Sequence, residues 1–274
     1  MHLSELFIYP VKGLGGIAVS QFAVTERGPA HDRRWMIVND KGRFVSQREQ
    51  AQLALLQCEM QGEEIVVRRK GCPEFLARLP RVLAEGALIE TKIWKNKVKA
   101  RVADEVSNAA ISDFLGKDSR FVYMPDHSHR IVDPKYAPEI ELVSFADGFP
   151  YLVIGQSSLD DLNVRLQERG QVPVPMDRFR PNLVVAGGAP NEEFTWAELR
   201  IGAVDFEGRK PCSRCVVTTV DQTTGEKGRE PLRTLARYLM RDRKIYFGEN
   251  LIVTGEGTIR IGDAVTVQRR KDWE

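Results

Sequence analysis

The chain has 274 residues but only four cysteines and four histidines, and no long apolar run. No apolar stretch approaches the ~20 residues that span a bilayer. Met1-His2-Leu3-Ser4-Glu5 lacks the basic stretch followed by an apolar one that marks a secretory leader. No membrane association is therefore expected, and the expected compartment is the cytoplasm. Four cysteines in a chain of this length do not make a disulfide scaffold, and reduced thiols fit that compartment. A surplus of charge is missing too: the net charge is +2, with basic residues scattered among acidic ones, so no nucleic-acid partner is expected. There is no internal repeat, low-complexity segment or long linker. What remains is an ordinary globular composition, long enough for two intimately joined domains.

The first hundred residues read almost entirely as strands. Leu6-Phe7-Ile8-Tyr9, Phe22-Ala23-Val24-Thr25 and Trp35-Met36-Ile37-Val38 are short β-rich runs bounded by turn residues. Asn39-Asp40-Lys41-Gly42, Gln61-Gly62 and Lys95-Asn96 mark hairpin turns. Short strands at this spacing suggest a barrel or sandwich. From Asp104 to Leu115 the apolar positions keep helical spacing, and Gly116 is a natural stop. A polar, turn-rich stretch from Pro125 to Glu139 reads as the joint between two β-rich halves. Beyond it, Tyr151-Leu152-Val153-Ile154 reads as a strand, and Ser157 or Ser158 as the cap of a helix carrying Leu159, Leu162 and Leu166. Leu183-Val184-Val185-Ala186 is a further strand. A basic amphipathic helix is expected from about Pro231 to Arg241, and then the last strands, around Leu251-Ile252-Val253 and Thr258-Ile259-Arg260-Ile261. The fold class is mainly β, of the α+β type, with a few covering helices.

Chemistry is expected where Cys212 and Cys215 stand three positions apart, beside Lys210 and Arg214 and ahead of the β-branched run Val216-Val217-Thr218-Thr219-Val220. Fixed positive charge favours the thiolate, the form that is a nucleophile or metal ligand. A structural zinc site needs four ligands, and Cys58, Cys72 and the histidines offer no matching spacing. A thioredoxin-like pair usually opens a helix, whereas the run after Cys215 reads as a continuing strand. An iron–sulfur cluster needs four well-spaced thiolates. Two buried cysteines without a role remain the bland alternative, against which the flanking charges count.

A single thiolate can still serve if a cofactor supplies the rest of a metal's coordination, since soft sulfur ligands suit a redox metal. Such a cofactor would carry phosphate and attract basic residues. Three clusters at strand ends qualify: Lys12 in Tyr9-Pro10-Val11-Lys12-Gly13, Arg33 in Asp32-Arg33-Arg34-Trp35, and Arg180 in Phe179-Arg180-Pro181-Asn182. His127 and His129 read as exposed loop residues.

Tyr-Pro-Val-Lys at 9–12, Asp-Arg-Arg-Trp at 32–35, Phe-Arg-Pro-Asn at 179–182 and Cys-Ser-Arg-Cys at 212–215 stand in the order seen in one family. The chain resembles the MOSC family of molybdenum-cofactor proteins. Its branch is the one with an N-terminal MOSC-type β-barrel domain, which includes the YcbX-like proteins and the mitochondrial amidoxime-reducing component. The resemblance implies a MOSC N-terminal β-barrel-like domain over residues 1–118 and a MOSC β-barrel domain over residues 119–274. It implies the molybdenum cofactor, Mo-molybdopterin, with Cys215 as the metal ligand and Cys212 as a neighbour that does not bind. Lys12, Arg33 and Arg180 match residues that hold the pterin and its phosphate, Asn182 sits with Arg180, and Asp147 matches an acidic residue close to the metal. Where the mitochondrial relatives have hydroxyl residues, this chain has Gly13 after Lys12 and Gly148-Phe149 after Asp147. Neither the mitochondrial membrane anchor nor the ferredoxin-like domain of many YcbX-like proteins is expected.

By resemblance the reaction is reduction of a small N-hydroxylated or N-oxide substrate, with electrons from a separate ferredoxin-like or flavin reductase donor. The rival expectation is a molybdenum-cofactor carrier or sulfur-transfer module without reductase turnover.

Overall fold

A computed structural model describes residues 1–137 and 139–273, so Pro138, inside the expected loop, and Glu274 lie outside the described residues. Strands dominate and helices are few, as the composition of short β-rich runs and turn residues predicts. Among the described residues no helix is long and apolar enough to cross a membrane.

The largest sheet has nine strands, with Val204–Arg214, Lys244–Val253, Tyr151–Gly155 and Leu183–Ala186 side by side at its centre. Tyr151–Gly155 and Leu183–Ala186 run parallel. A parallel neighbour requires a crossover, and helix α2, Gln156–Gln167, supplies it. The helix lays Leu159, Leu162 and Leu166 against Phe194, Phe247 and Leu235. The next strand in this sheet is His2–Ile8, which pairs with Leu183–Ala186, and Gln21–Thr25 likewise pairs with Gly257–Arg260. Leu3, Leu6, Phe22 and Val24 are therefore buried with Trp196, Leu199 and Phe206 from the far end of the chain. A five-stranded sheet and a three-stranded meander, Leu56–Gln61, Glu64–Arg69 and Phe75–Pro80, carry most of the remaining first half.

Helix α1, Glu105–Leu115, sits where its spacing predicts. Asp104 caps it, accepting the Ser107 N–H at 2.8 Å, and Gly116 closes it at φ 66. The hairpin turns at Gly42 and Gly62 use glycine in the left-handed region, as those positions require.

Three local expectations are corrected. The run after Cys215 is not a strand: Val216–Thr219 is a 3₁₀ turn, and the strand Val204–Arg214 precedes the second cysteine instead. The hydroxyls of Thr218 and Thr219 donate back to the carbonyls of Cys215 and Val216 at 3.0 and 2.8 Å. They offer the backbone a local alternative to a sheet ladder. Neither Ser157 nor Ser158 caps α2, which starts directly from the strand end at Gly155. The Ser158 hydroxyl faces inward and donates to Glu193 Oε2 at 2.8 Å. The basic helix expected over Pro231–Arg241 is a single turn, α3, Leu232–Leu235, because Met240–Arg241 is drawn into a hairpin with Lys244 and Ile245. Tertiary pairing overrides helix propensity there.

Candidate active site

A cavity of about 310 Å³ opens between the two halves. Lys12, Arg33, Asp147, Arg180, Asn182 and Cys215, singled out from the sequence, all line it. His127 and His129 are exposed and lie elsewhere.

The floor is built around buried Asp32, beside the end of the first strand. Its Oδ1 accepts the Tyr9 N–H at 2.7 Å and the Asn182 amide at 3.2 Å, and its Oδ2 accepts Arg33 Nη1 at 2.6 Å. Arg33 also donates to Asn182 Oδ1 at 3.1 Å and to the Arg180 carbonyl at 3.1 Å. One buried carboxylate thus ties the second and third basic clusters together. Arg33 and Arg180 both hold left-handed backbone, φ 48 and 58, which is uncommon outside glycine and marks positions fixed by their surroundings. Their guanidinium groups lie 4.4 and 4.3 Å from the centre of the Tyr9 ring. Asp32 neutralises Arg33. The Arg180 guanidinium has no protein acceptor among the described residues.

Lys12 turns elsewhere. Its ammonium is 2.5 Å from Asp147 Oδ1 and 4.9 Å from the Phe44 ring centre. Burial pushes the Lys12 amine down to about 8, with Asp147 opposing the fall. Burial tends to raise the Asp147 carboxyl, but the Lys12 charge and hydrogen bonds from Lys12 and Trp94 outweigh it and hold the group well below the usual carboxylate range. The Asp147 side chain is nonetheless 70% exposed, open to the cleft. Arg130, buried in the loop joining the halves, fixes the segment that carries it. Its guanidinium donates to the carbonyls of Ser144, Ala146 and Asp147 at 2.7, 2.5 and 2.8 Å.

The cysteines divide by setting. Cys58 is buried in the first half and its thiol is pushed up to about 12 by burial, which makes it inert at neutral pH. Cys212 and Cys215 both line the cleft and are half-buried. They straddle the strand end, and the Cys212 sulfur takes Arg214 Nη1 at 2.9 Å. Among the described residues no three histidine, cysteine or carboxylate side chains cluster as a metal site.

Seven lysines and arginines line the cleft against one carboxylate, Asp147. The Nε atoms of Arg178 and Arg214 are buried there without a partner. Lys12, Arg33 and Arg178 are paired with Asp147, Asp32 and Asp221, whereas Arg180, Lys210 and Arg214, all half-buried, have no carboxylate partner among the described residues. Burying such charge is costly without an anion to receive it. Sequence reasoning missed Phe44, Arg48, Trp94, Arg130 and Arg178. Trp94 had a signal, an aromatic residue beside the Lys95-Asn96 turn where packing does not demand one. Arg130 had none.

A basic cleft between two β-rich halves, with a thiol at its edge, is the class of site that fold and geometry define. The MOSC domain model matches residues 141–266, and the model of the MOSC N-terminal beta barrel domain matches residues 1–118. The chain belongs to the MOSC family, in the branch that carries this N-terminal domain. It is 31% identical to human mitochondrial amidoxime-reducing component 1 over 96% of its own length and 82% of that protein. It is 28% identical to the molybdenum cofactor sulfurase of rice, Oryza sativa subsp. japonica, over 90% of its own length but 32% of that protein. The crystal structure of the YUAD protein from Bacillus subtilis covers 96% of the chain and 93% of that protein, at 8% identity and a TM-score of 0.41.

Proposed function

We propose that the protein is a molybdenum-cofactor-dependent oxidoreductase that reduces N-hydroxylated or N-oxide compounds, acting in the cytoplasm with electrons from a separate ferredoxin-like or flavin reductase donor. The observation that carries the reading is the Arg180 guanidinium, left without a protein acceptor in a cleft where seven basic residues face one carboxylate and a half-buried thiol. The amidoxime-reducing relatives, similar over nearly the whole chain, supply the reaction class. The donor set fits a phosphate-bearing pterin with a sulfur-ligated metal. When bound, that cofactor supplies the two-electron redox chemistry.

The chain's own residues do the rest. Arg33 and Arg180 bind and orient the anionic end of the cofactor, and Cys215 offers its thiolate to the metal. Asn182, its amide already given to Asp32 and the Phe7 carbonyl, holds Arg33 in place for it. Asp147, ionised and open to the cleft, accepts a hydrogen bond from the substrate. Lys12 Nζ, with its lowered affinity for a proton, is the donor nearest that carboxylate. Reduction of N–OH to N–H takes two electrons and two protons and releases water, so a proton source in the cleft is required.

Purification from a molybdenum-replete host tests the reading. We expect stoichiometric molybdenum and turnover of an amidoxime with a reduced donor. Cys215→Ala is expected to lose the metal, while Cys212→Ala, whose sulfur is engaged with Arg214, largely keeps it. Equal loss in both would assign the wrong sulfur. Full molybdenum without turnover would favour the rival, a cofactor carrier or sulfur-transfer module, to which the sulfurase relatives lend support.

A further inference from the structure

We propose that Trp94 is the specificity-determining residue of the cleft, selecting flat, N–H-bearing amidine- or guanidine-type heads over N-oxides, with Arg48 as the group such a head displaces. The proposal rests on the reductase reading and narrows its substrate class. Trp94 stands at the tip of the first-half hairpin formed by Leu88–Ile93 and Asn96–Val102, and reaches across to the second half. Its backbone is left-handed at φ 51, a conformation rare for a bulky aromatic residue, and persists only where the surroundings hold it. Three contacts do so. The indole N–H donates to Asp147 Oδ1 at 3.1 Å, the Phe44 ring meets it at 83° with centres 5.6 Å apart, and the Arg48 guanidinium lies 4.4 Å from its centre.

Two details turn this wall into a selector. First, Lys12 and Trp94 both engage Asp147 Oδ1, so Oδ2 is left as a free anionic acceptor in the cavity. A tertiary N-oxide has no N–H to give it; an amidine or guanidine head does. Second, Arg48 is exposed, and its guanidinium has no hydrogen-bond acceptor among the described residues. It rests on the indole through ring attraction alone, and is itself a planar, N–H-rich cation. The chain thus carries a weakly held stand-in for the head that the site is built to take. Trp94 remains 38% exposed, so its surface is available to the incoming group.

The test uses the protein as purified with its cofactor and no reductant, with benzamidine binding read by calorimetry. Wild type is expected to bind it, and Trp94→Ala to weaken binding about fivefold, the upper scale of a cation–aromatic contact at a partly exposed ring. Trp94→Phe keeps an aromatic face and is expected to stay within about threefold. Arg48→Ala is expected to tighten binding about two- to threefold, an outcome that loss of packing would not produce. In turnover benzamidoxime is uncharged at neutral pH, so stacking and N–H donation alone act, and the ratio of kcat/KM for benzamidoxime over pyridine N-oxide should fall about threefold in Trp94→Ala through KM. No benzamidine binding in wild type, unchanged binding in Trp94→Ala, or a loss in Arg48→Ala equal to that in Trp94→Ala would each overturn the proposal. Should Trp94→Ala not fold, Trp94→Phe and Arg48→Ala decide it. Molybdenum content, measured on the same samples, reports separately on the reductase reading.

Discussion

Glu249 on the strand Lys244–Val253 is fully buried, paired through Oε1 with Lys271 at 2.7 Å, while its Oε2 has no partner. Burial raises its pKa from the ordinary value of 4.5 to about 8; Lys271 opposes the rise and the nearby Glu193 adds to it. The unfolded chain releases this proton near 4.5, whereas the native state keeps it to about pH 8. Between those values the native state binds more protons, so this contribution to stability falls as pH rises, and the penalty is complete above pH 8. At 1.36 kcal/mol per unit, the penalty is about 3–5 kcal/mol. Glu249→Gln removes the titration but keeps the shape. Near pH 5, where the native carboxyl is neutral, the variant should match wild type within about 1 kcal/mol. At pH 9 it should be more stable, with Tm higher by roughly 5–15 °C for a chain of this size. Thermal unfolding followed by circular dichroism across pH 5–9 measures the difference. A Tm difference independent of pH, or a variant less stable at pH 9, refutes the reasoning.

Two further outcomes follow from buried hydrogen bonds. Arg130→Met strands the carbonyls of Ser144, Ala146 and Asp147. It should cost about 3–5 kcal/mol in urea unfolding, and speed amide exchange in the segment that carries Asp147. Asp104→Ala removes the cap accepted from Ser107 and should cost about 1 kcal/mol, confined to stability, with benzamidine binding unchanged.

The candidate site was legible because its pieces are local. Tyr9 to Lys12, Asp32 to Trp35, Phe179 to Asn182 and Cys212 to Cys215 are short strand-end segments, and each keeps its character wherever the chain goes. Trp94 and Arg130 escaped because their roles exist only once distant segments meet: an indole reaching Asp147, and a guanidinium turning back on three carbonyls. Helix α1 was readable from its cap, spacing and closing glycine, all within one stretch. The turn after Cys215 was misread because β-branched residues favour strands, and the threonine hydroxyls that bend the backbone are the same side chains that suggest a ladder. The shortened helix at Leu232–Leu235 was lost to a hairpin that local composition does not announce.

The pairing of His2–Ile8 with Leu183–Ala186, and of Gln21–Thr25 with Gly257–Arg260, sets the order in which the molecule can be completed. On the ribosome each of these early strands emerges with one edge covered by a near neighbour and the other open, until Leu183–Ala186 and then Gly257–Arg260 are made. The first-half meander and helix α1 close through contacts near in sequence and can form early, while the nine-stranded sheet waits for the far end of the chain. Assembly of the cleft is therefore a late event, since Arg33 and Asn182 meet over Asp32 only when Leu183–Ala186 docks beside the first strand.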